Sequence, residues 1–238
     1  MTKIYFAGAE AFSDICVEHG VNILVSYFNI GKKEIPKLEV FLDSGAYSAF
    51  TQKVEINIMN YINYIKNHLD EIETYASLDV IGDAQATYDN FITMKEAGLN
   101  PIPTFHVGED FSYLDKYKEE PYIALGGMVP YSNQPRLLQR WLIKCFKLLK
   151  DKKVHGFGMT NADLIARFPF YSVDSTSWLA GNRYKTFYIY SRGKMRTVPM
   201  DKKLKDWDYK KLMKWNLIQW KKFADYLGEK HGVQKVTN

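Results

Sequence analysis

The sequence predicts an α/β protein built as a (β/α)8 TIM barrel, followed by a basic helical extension at its C-terminal end. Apolar runs alternate with amphipathic helical stripes along the chain, which is typical of a parallel sheet. Several of the apolar runs stop at a carboxylate, an imidazole or a glycine. Such endings are expected at the C-terminal mouth of a parallel barrel, where catalytic side chains lie. Eight candidate strands alternate with the helical stripes: 3–7, 22–27, 40–43, 75–79, 101–106, 121–125, 153–157 and 170–174.

Helical periodicity fills most of the gaps between these strands. It is clearest at 134–150, where apolar residues recur at helical spacing and lysines lie off that face. Helices are also predicted at 56–70 and 84–97, with Asp83 as the N-cap of the second. An open doubly wound sheet is the alternative fold. The segment GAEAF, after the first strand, matches the glycine-rich phosphate turn of that fold poorly.

Composition and charge divide the chain unevenly. The 238 residues are 46% hydrophobic and 25% charged, which indicates a globular protein with one large core. Residues 183–238 hold 15 Lys or Arg but 5 Asp or Glu, a net charge of +10, whereas the rest of the chain has a net charge of −5. We therefore predict a barrel core over 1–180 and a basic, aromatic-rich extension over 181–238, with a helix at 207–228. This charge favours a polyanion partner, although a solvated lysine-rich helix has the same composition.

Other sequence signals concern location and cofactors. No run of eighteen apolar residues is present, so no membrane partner is expected. The start MTKIYFAGAE reads as a strand rather than a secretory signal, which predicts a cytoplasmic protein. The two cysteines and five histidines show no metal-ligand spacing, so neither a metal nor a cofactor is expected. The oligomeric state stays open.

The strongest candidates for chemistry are carboxylates at strand ends. Asp43 ends the third strand and Asp174 the eighth, and paired carboxylates across a barrel mouth suit substitution at an anomeric carbon. One carboxylate attacks or stabilises positive charge while the other moves a proton. An Asp before a helix is also a common N-cap. Asp79, which ends the fourth strand, makes three such residues and weakens that alternative.

A second set of residues at the strand ends can bind a flat ligand. Glycines there allow close approach to the backbone, aromatic rings can stack, and an imidazole can donate or accept a hydrogen bond. We interpret His155, on the seventh strand, as a structural residue. The candidate ligand-binding residues are Tyr47, His106, Gly126, Gly127, Met128 and Phe157.

Five short motifs in this order resemble the tRNA-guanine transglycosylase superfamily. They most resemble the related phage and bacterial DNA-guanine transglycosylases, which insert 7-deazaguanine bases. The similarity covers residues 40–178 and rests on DSGAY (43–47), SLD (77–79), ALGGM (124–128), GFGM (156–159) and SVDS (172–175).

The resemblance implies exchange of guanine in nucleic acid for a 7-deazaguanine such as preQ0. Asp174 would be the nucleophile that forms a covalent glycosyl-enzyme, and Asp43 the general acid/base. Asp79, Gly127 and His106 would bind the edge of the base, while Tyr47 and Phe157 would stack on it.

Departures from the family bear on the substrate. The three-Cys, one-His zinc site of the tRNA enzymes cannot be built here, His106 replaces a Gln, and STSWLAGNR follows the nucleophile in place of Pro-Thr-Arg. The missing zinc subdomain and the small size favour DNA over tRNA, and a phage or mobile element as the source.

Basic residues interleaved with Tyr184, Phe187, Tyr188 and Tyr190 suit an unpaired nucleic-acid strand. Three alternatives remain: a tRNA-guanine transglycosylase, a barrel nucleosidase or glycoside hydrolase acting on a small substrate, and a non-catalytic nucleic-acid-binding barrel. The predicted nucleic-acid-binding residues are Arg183, Lys185, Arg192, Lys194 and Arg196.

Overall fold

The computed structural model describes residues 2–9, 12–31, 34–179, 186–199 and 207–233. In these residues eight parallel strands form one sheet, in the order β4-β3-β2-β1-β8-β7-β6-β5. Each of the eight predicted strands is present. Their bounds are β1 Lys3–Ala7, β2 Asn22–Ser26, β3 Val40–Asp43, β4 Thr74–Tyr75, β5 Thr104–His106, β6 Tyr122–Gly126, β7 Lys153–Gly156 and β8 Ser172–Ser175.

The sheet curls because the first strand lies beside the last. β1 pairs in parallel with both β2 and β8, which leaves β4 and β5 as the edge strands. One parallel bridge joins the chain beside these edges: Ile102 N–H donates to the Tyr75 carbonyl at 2.8 Å, and Ser77 N–H donates to the Ile102 carbonyl at 2.9 Å. The sheet is therefore barrel-like, but its seam is held by this bridge and not by a continuous ladder.

Helices alternate with the strands as the apolar periodicity predicts. Asp83 caps the helix that begins at Ala84 by accepting the Ala86 N–H at 2.9 Å, as expected, and Pro135 is the first residue of the helix that ends at Leu148. The predicted helix at 56–70 is shorter in the structure. The helices of the described residues are α1 Ser13–His19, α2 Tyr27–Ile30, α3 Ala46–Thr51, α4 Ile58–Asn67, α5 Ala84–Glu96, α6 Phe111–Lys116, α7 Pro135–Leu148, α8 Ala162–Arg167 and α9 Tyr209–Val233.

Two apolar clusters follow from the alternation of side chains along each strand. The larger lies between the strands and the helices and includes both free cysteines, Cys16 and Cys145, which are buried. The smaller fills the interior of the curled sheet and supports the polar groups at the strand ends. Its buried members are Tyr5, Ala7, Leu24, Phe41, Ala76, Ile102 and Ala124.

The C-terminal extension contains a β-hairpin that packs on the last helix. Strands β9 (Thr186–Ser191) and β10 (Lys194–Pro199) pair antiparallel. Tyr188 lies edge-on to Trp220, with ring centroids 5.4 Å apart, and Tyr190 contacts Phe223 at 6.1 Å. These two tyrosine rings therefore pack against α9 and are half-buried. No helix in the described ranges is long and apolar enough to cross a bilayer.

Candidate active site

The C-terminal ends of the parallel strands surround one cavity of about 790 Å³. Residues from positions 43 to 174 meet there, because the carboxyl ends of parallel strands face the same end of a curled sheet. All the predicted catalytic and base-binding residues line this cavity: Asp43, Tyr47, Asp79, His106, Gly126, Gly127, Met128, Phe157 and Asp174.

Asp43 is held at the end of β3 by the turn that follows it. Its Oδ2 accepts the Gly45 N–H at 3.0 Å. Gly45 has a φ of 80°, and a Cβ there would lie 2.5 Å from the Cβ of Phe28, so only glycine fits this turn. Burial, reinforced by the charges of Asp79 and Asp174, raises the pKa of Asp43 to about 7. This carboxyl group can therefore both donate and accept a proton near neutral pH.

Asp174, on β8, is buried and fixed through one of its two oxygens. Oδ1 accepts the Gly158 N–H at 2.8 Å and also contacts His155 Nε2 at 3.3 Å. Burial lowers the pKa of His155 while Asp174 acts in the opposite sense, so the ring is neutral near neutral pH. His155, which the sequence pattern indicates as structural, therefore contacts the predicted nucleophile directly.

An ion-pair triad occupies the opposite wall. His106 Nε2 lies 3.2 Å from Asp79 Oδ2, and His106 Nδ1 lies 2.9 Å from Glu109 Oε1. Burial alone would lower the pKa of His106, but Asp79 and Glu109 raise it to about 10, so the ring is an imidazolium. Glu109 was missed by sequence reasoning. The sequence feature that could have predicted this contact is the position of Glu109, three residues after His106 at the end of β5.

Asp79 keeps one oxygen free of that triad. Oδ1 is buried and has no hydrogen-bond partner in the described part of the chain, although Asp79 lines the cavity. A buried acceptor without a donor is costly, so a ligand N–H group that reaches this oxygen would form a favourable hydrogen bond with it.

The paired glycines at the end of β6 lie close to the backbone and side chain of β5. A Cβ on Gly126 would lie 2.8 Å from His106 Cδ2, so the imidazolium ring occupies the space that a side chain would need. Gly127 has a φ of 70°, and a Cβ there would lie 3.1 Å from the Val107 nitrogen. The glycines therefore make room for β5 and its histidine, and both also line the cavity.

The apolar residues differ in their access to the cavity. Tyr47 is 57% exposed at the rim, so its ring is free to stack on a ligand. Met128 is buried in the wall. Phe157 is half-buried, with its ring centroid 4.5 Å from that of His155 and 5.5 Å from that of Phe41. Phe157 thus links the cavity wall to the interior core.

The predicted basic residues that the structure describes do not line the cavity. Arg192, Lys194 and Arg196 are exposed on the hairpin of β9 and β10 and do not line the cavity. Arg183 and Lys185 fall outside the described residues. Within the described ranges, no group of three or more His, Cys, Asp or Glu side chains is arranged to hold a metal ion.

Comparison with known proteins adds no family to this description. No protein-family model matches the chain, and no curated protein matches it. The chemistry of the cavity is therefore the basis for assigning a function to this protein.

Proposed function

We propose that the protein is a (β/α)8-barrel transglycosylase that exchanges guanine in nucleic acid for a 7-deazaguanine base. The observation that carries this proposal is the convergence of Asp43, Asp79 and Asp174 on one cavity, each in a different electrostatic environment. Carboxylates whose surroundings differ in this way can divide the roles of nucleophile, proton carrier and base receptor among themselves.

The exchange takes two displacements at the same carbon. An oxygen of Asp174 attacks C1′ of the target nucleotide, the C1′–N9 bond breaks, and the departing guanine takes a proton from the protonated form of Asp43. The incoming base then gives its N9 proton to Asp43 and attacks C1′, which breaks the ester and restores the Asp174 carboxylate. A pKa near 7 suits Asp43 to both proton transfers.

Guanine recognition is assigned to Asp79. The Watson–Crick edge of guanine presents N1–H and N2–H donors, and the unpartnered Oδ1 of Asp79 is a buried acceptor. Adenine presents an acceptor at N1 and would leave this oxygen facing a lone pair. A site that must satisfy a buried polar group rejects a ligand that lacks the matching group by several powers of ten, about 10⁴-fold in favourable cases.

DNA is the favoured nucleic acid. The chain lacks the cysteines for the zinc subdomain of the tRNA enzymes that it resembles. Exposed cations on the hairpin of β9 and β10 provide a surface that suits phosphates. In either nucleic acid, the target guanosine has to leave its stack before C1′ can reach a carboxylate inside the cavity.

Labelled guanine tests the proposal directly. The protein is incubated with carbon-14-labelled guanine and with single-stranded DNA, duplex DNA or tRNA. The radioactivity in the acid-insoluble nucleic acid then measures the incorporation of guanine. Incorporation into DNA supports the proposal. Incorporation into tRNA alone would instead indicate a tRNA-guanine transglycosylase. Release of free sugar from a nucleoside without any incorporation would replace it with a nucleosidase that uses water as the acceptor.

The nucleophile is tested by trapping the covalent intermediate. Denaturing electrophoresis of the protein with a guanine-containing oligonucleotide should show a shifted band, and Asp174→Ala should remove it. Asp110→Ala is a matched control, because Asp110 is an exposed carboxylate that caps α6 through the Ser112 N–H. A shifted band that persists in Asp174→Ala would place the nucleophile on another residue.

A further inference from the structure

A chain of hydrogen bonds crosses the interior of the curled sheet and ends on Asp174. The Tyr122 hydroxyl lies 2.6 Å from Ser172 Oγ, and Ser172 Oγ lies 2.5 Å from His155 Nδ1. On the other side of the ring, His155 Nε2 lies 3.3 Å from Asp174 Oδ1. The chain thus steps from β6 to β8 and β7 and returns to β8, where Ser172 and Asp174 face the same side two residues apart.

The direction of these hydrogen bonds follows from the chemistry of the groups. An ionised carboxylate can only accept, so Nε2 of His155 carries the proton that faces Asp174. Nδ1 of the neutral ring then has a lone pair and accepts from Ser172. The Ser172 oxygen in turn accepts from the Tyr122 hydroxyl. Every donor in the series therefore points toward Asp174.

The surroundings hold the histidine in this arrangement. The His155 side chain is fully buried, and the rings of Phe41 and Phe157 each lie 4.5 Å from it between centroids. These rings offer no acceptor that would compete for the Nε2 proton. None of Tyr122, Ser172 and His155 lines the cavity, so a ligand would reach the series only at Asp174.

We propose that His155 is a positioning residue, through which Tyr122 and Ser172 orient Asp174 for attack on C1′. Oδ1 receives both the His155 and the Gly158 N–H donors. In the described part of the chain Oδ2 receives none, which makes it the oxygen that attacks. This role depends on the proposed transglycosylase reaction, but the hydrogen-bond series itself does not.

The tautomer of His155 tests the series without any enzymatic assay. Nitrogen-15 NMR of the full-length protein at neutral pH should show a neutral ring protonated at Nε2. Ser172→Ala removes the donor to Nδ1, so this tautomer should no longer be the sole one. A ring that is protonated at Nδ1, or at both nitrogens, in the unmodified protein would overturn the series.

Kinetics test the positioning role. His155→Leu should lower kcat for guanine exchange by about 10- to 100-fold, the value of one hydrogen bond to a charged group, with KM for guanine unchanged. His155→Gln should recover part of the rate, because its amide N–H can replace the imidazole donor. Val173→Ala is the control for packing loss, since Val173 is buried beside Asp174 but faces the outer core.

The outcomes separate this inference from the proposed function. If the unmodified protein exchanges guanine and His155→Leu keeps its full kcat, or if Val173→Ala loses as much activity, the positioning role is refuted while the reaction stands. If the unmodified protein exchanges no guanine but His155 has the Nε2–H tautomer that depends on Ser172, the proposed function fails and the hydrogen-bond series stands.

Discussion

Asp43→Asn should increase the stability of the protein in alkaline solution while it abolishes the proposed base exchange. Burial and two neighbouring carboxylates raise the pKa of Asp43 from an ordinary value of 3.8 to about 7. The folded protein therefore resists ionisation of this group, whereas the unfolded chain does not. Stability is lost as the pH rises from the unfolded pKa to the folded pKa, and asparagine cannot ionise.

The magnitude follows from this pKa. A pKa of about 7 instead of 3.8 corresponds to roughly 4 kcal/mol of ionisation cost in the folded state. Because Asp43 is half-buried, solvent screening reduces the expected gain to about 2–4 kcal/mol. The gain should develop between about pH 4 and about pH 8 and then stay constant. Near the acidic end, the neutral aspartic acid and asparagine should be nearly equal in stability.

Urea unfolding at about pH 4 and at about pH 8 measures the difference in unfolding free energy between Asp43→Asn and the parent protein. Carbon-13 NMR of the Asp43 carboxyl group measures its pKa directly. Asp110→Asn is the control, because hydrogen bonds from Ser112 lower the pKa of Asp110, so its variant should not gain stability with rising pH. A stability difference for Asp43→Asn that is the same at both pH values, or a carboxyl group that titrates near pH 4, would refute the reasoning.

Two further substitutions test the wall around His106. Gly126→Ala would place a Cβ 2.8 Å from His106 Cδ2, so we expect a loss of about 1–3 kcal/mol in urea unfolding; an unchanged midpoint would show that the ring is not held there. Glu109→Gln removes one of the carboxylates that raise the His106 pKa to about 10, so NMR titration should give a lower value. A histidine whose pKa is raised by folding adds stability below its unfolded pKa, and this stability is lost as the pH rises through its folded pKa. This variant should therefore be less stable than the parent near about pH 6 and similar near about pH 10, and a constant difference would contradict that assignment.

The local pattern of the chain was sufficient to predict the strands and most of the helices. Apolar runs and helical stripes report which residues are buried, and burial determines the elements. The prediction of a closed barrel is confirmed only in its coarser form. Whether the edge strands pair depends on the hydrogen bonds of Ile102 with Tyr75 and Ser77, which no local pattern encodes.

The candidate site was predictable where its residues end strands, because parallel strands bring their carboxyl ends together. Asp43, Asp79 and Asp174 were found in this way. Glu109 and the role of His155 were not found, since each depends on one side-chain contact: Glu109 with His106 and His155 with Asp174. Such contacts depend on rotamers and on the spacing of neighbouring strands, to which hydrophobic periodicity is insensitive.

Amino-acid order along the chain was enough to establish an α/β architecture and to name the acidic groups at its mouth, because both follow from short-range periodicity. The protonation behaviour of those groups was decided only when the chain folded. Asp43 becomes a weak acid with a pKa of about 7, His106 an imidazolium and His155 a neutral ring. Each of these states results from burial and from charges on other strands, and these are properties of three-dimensional proximity.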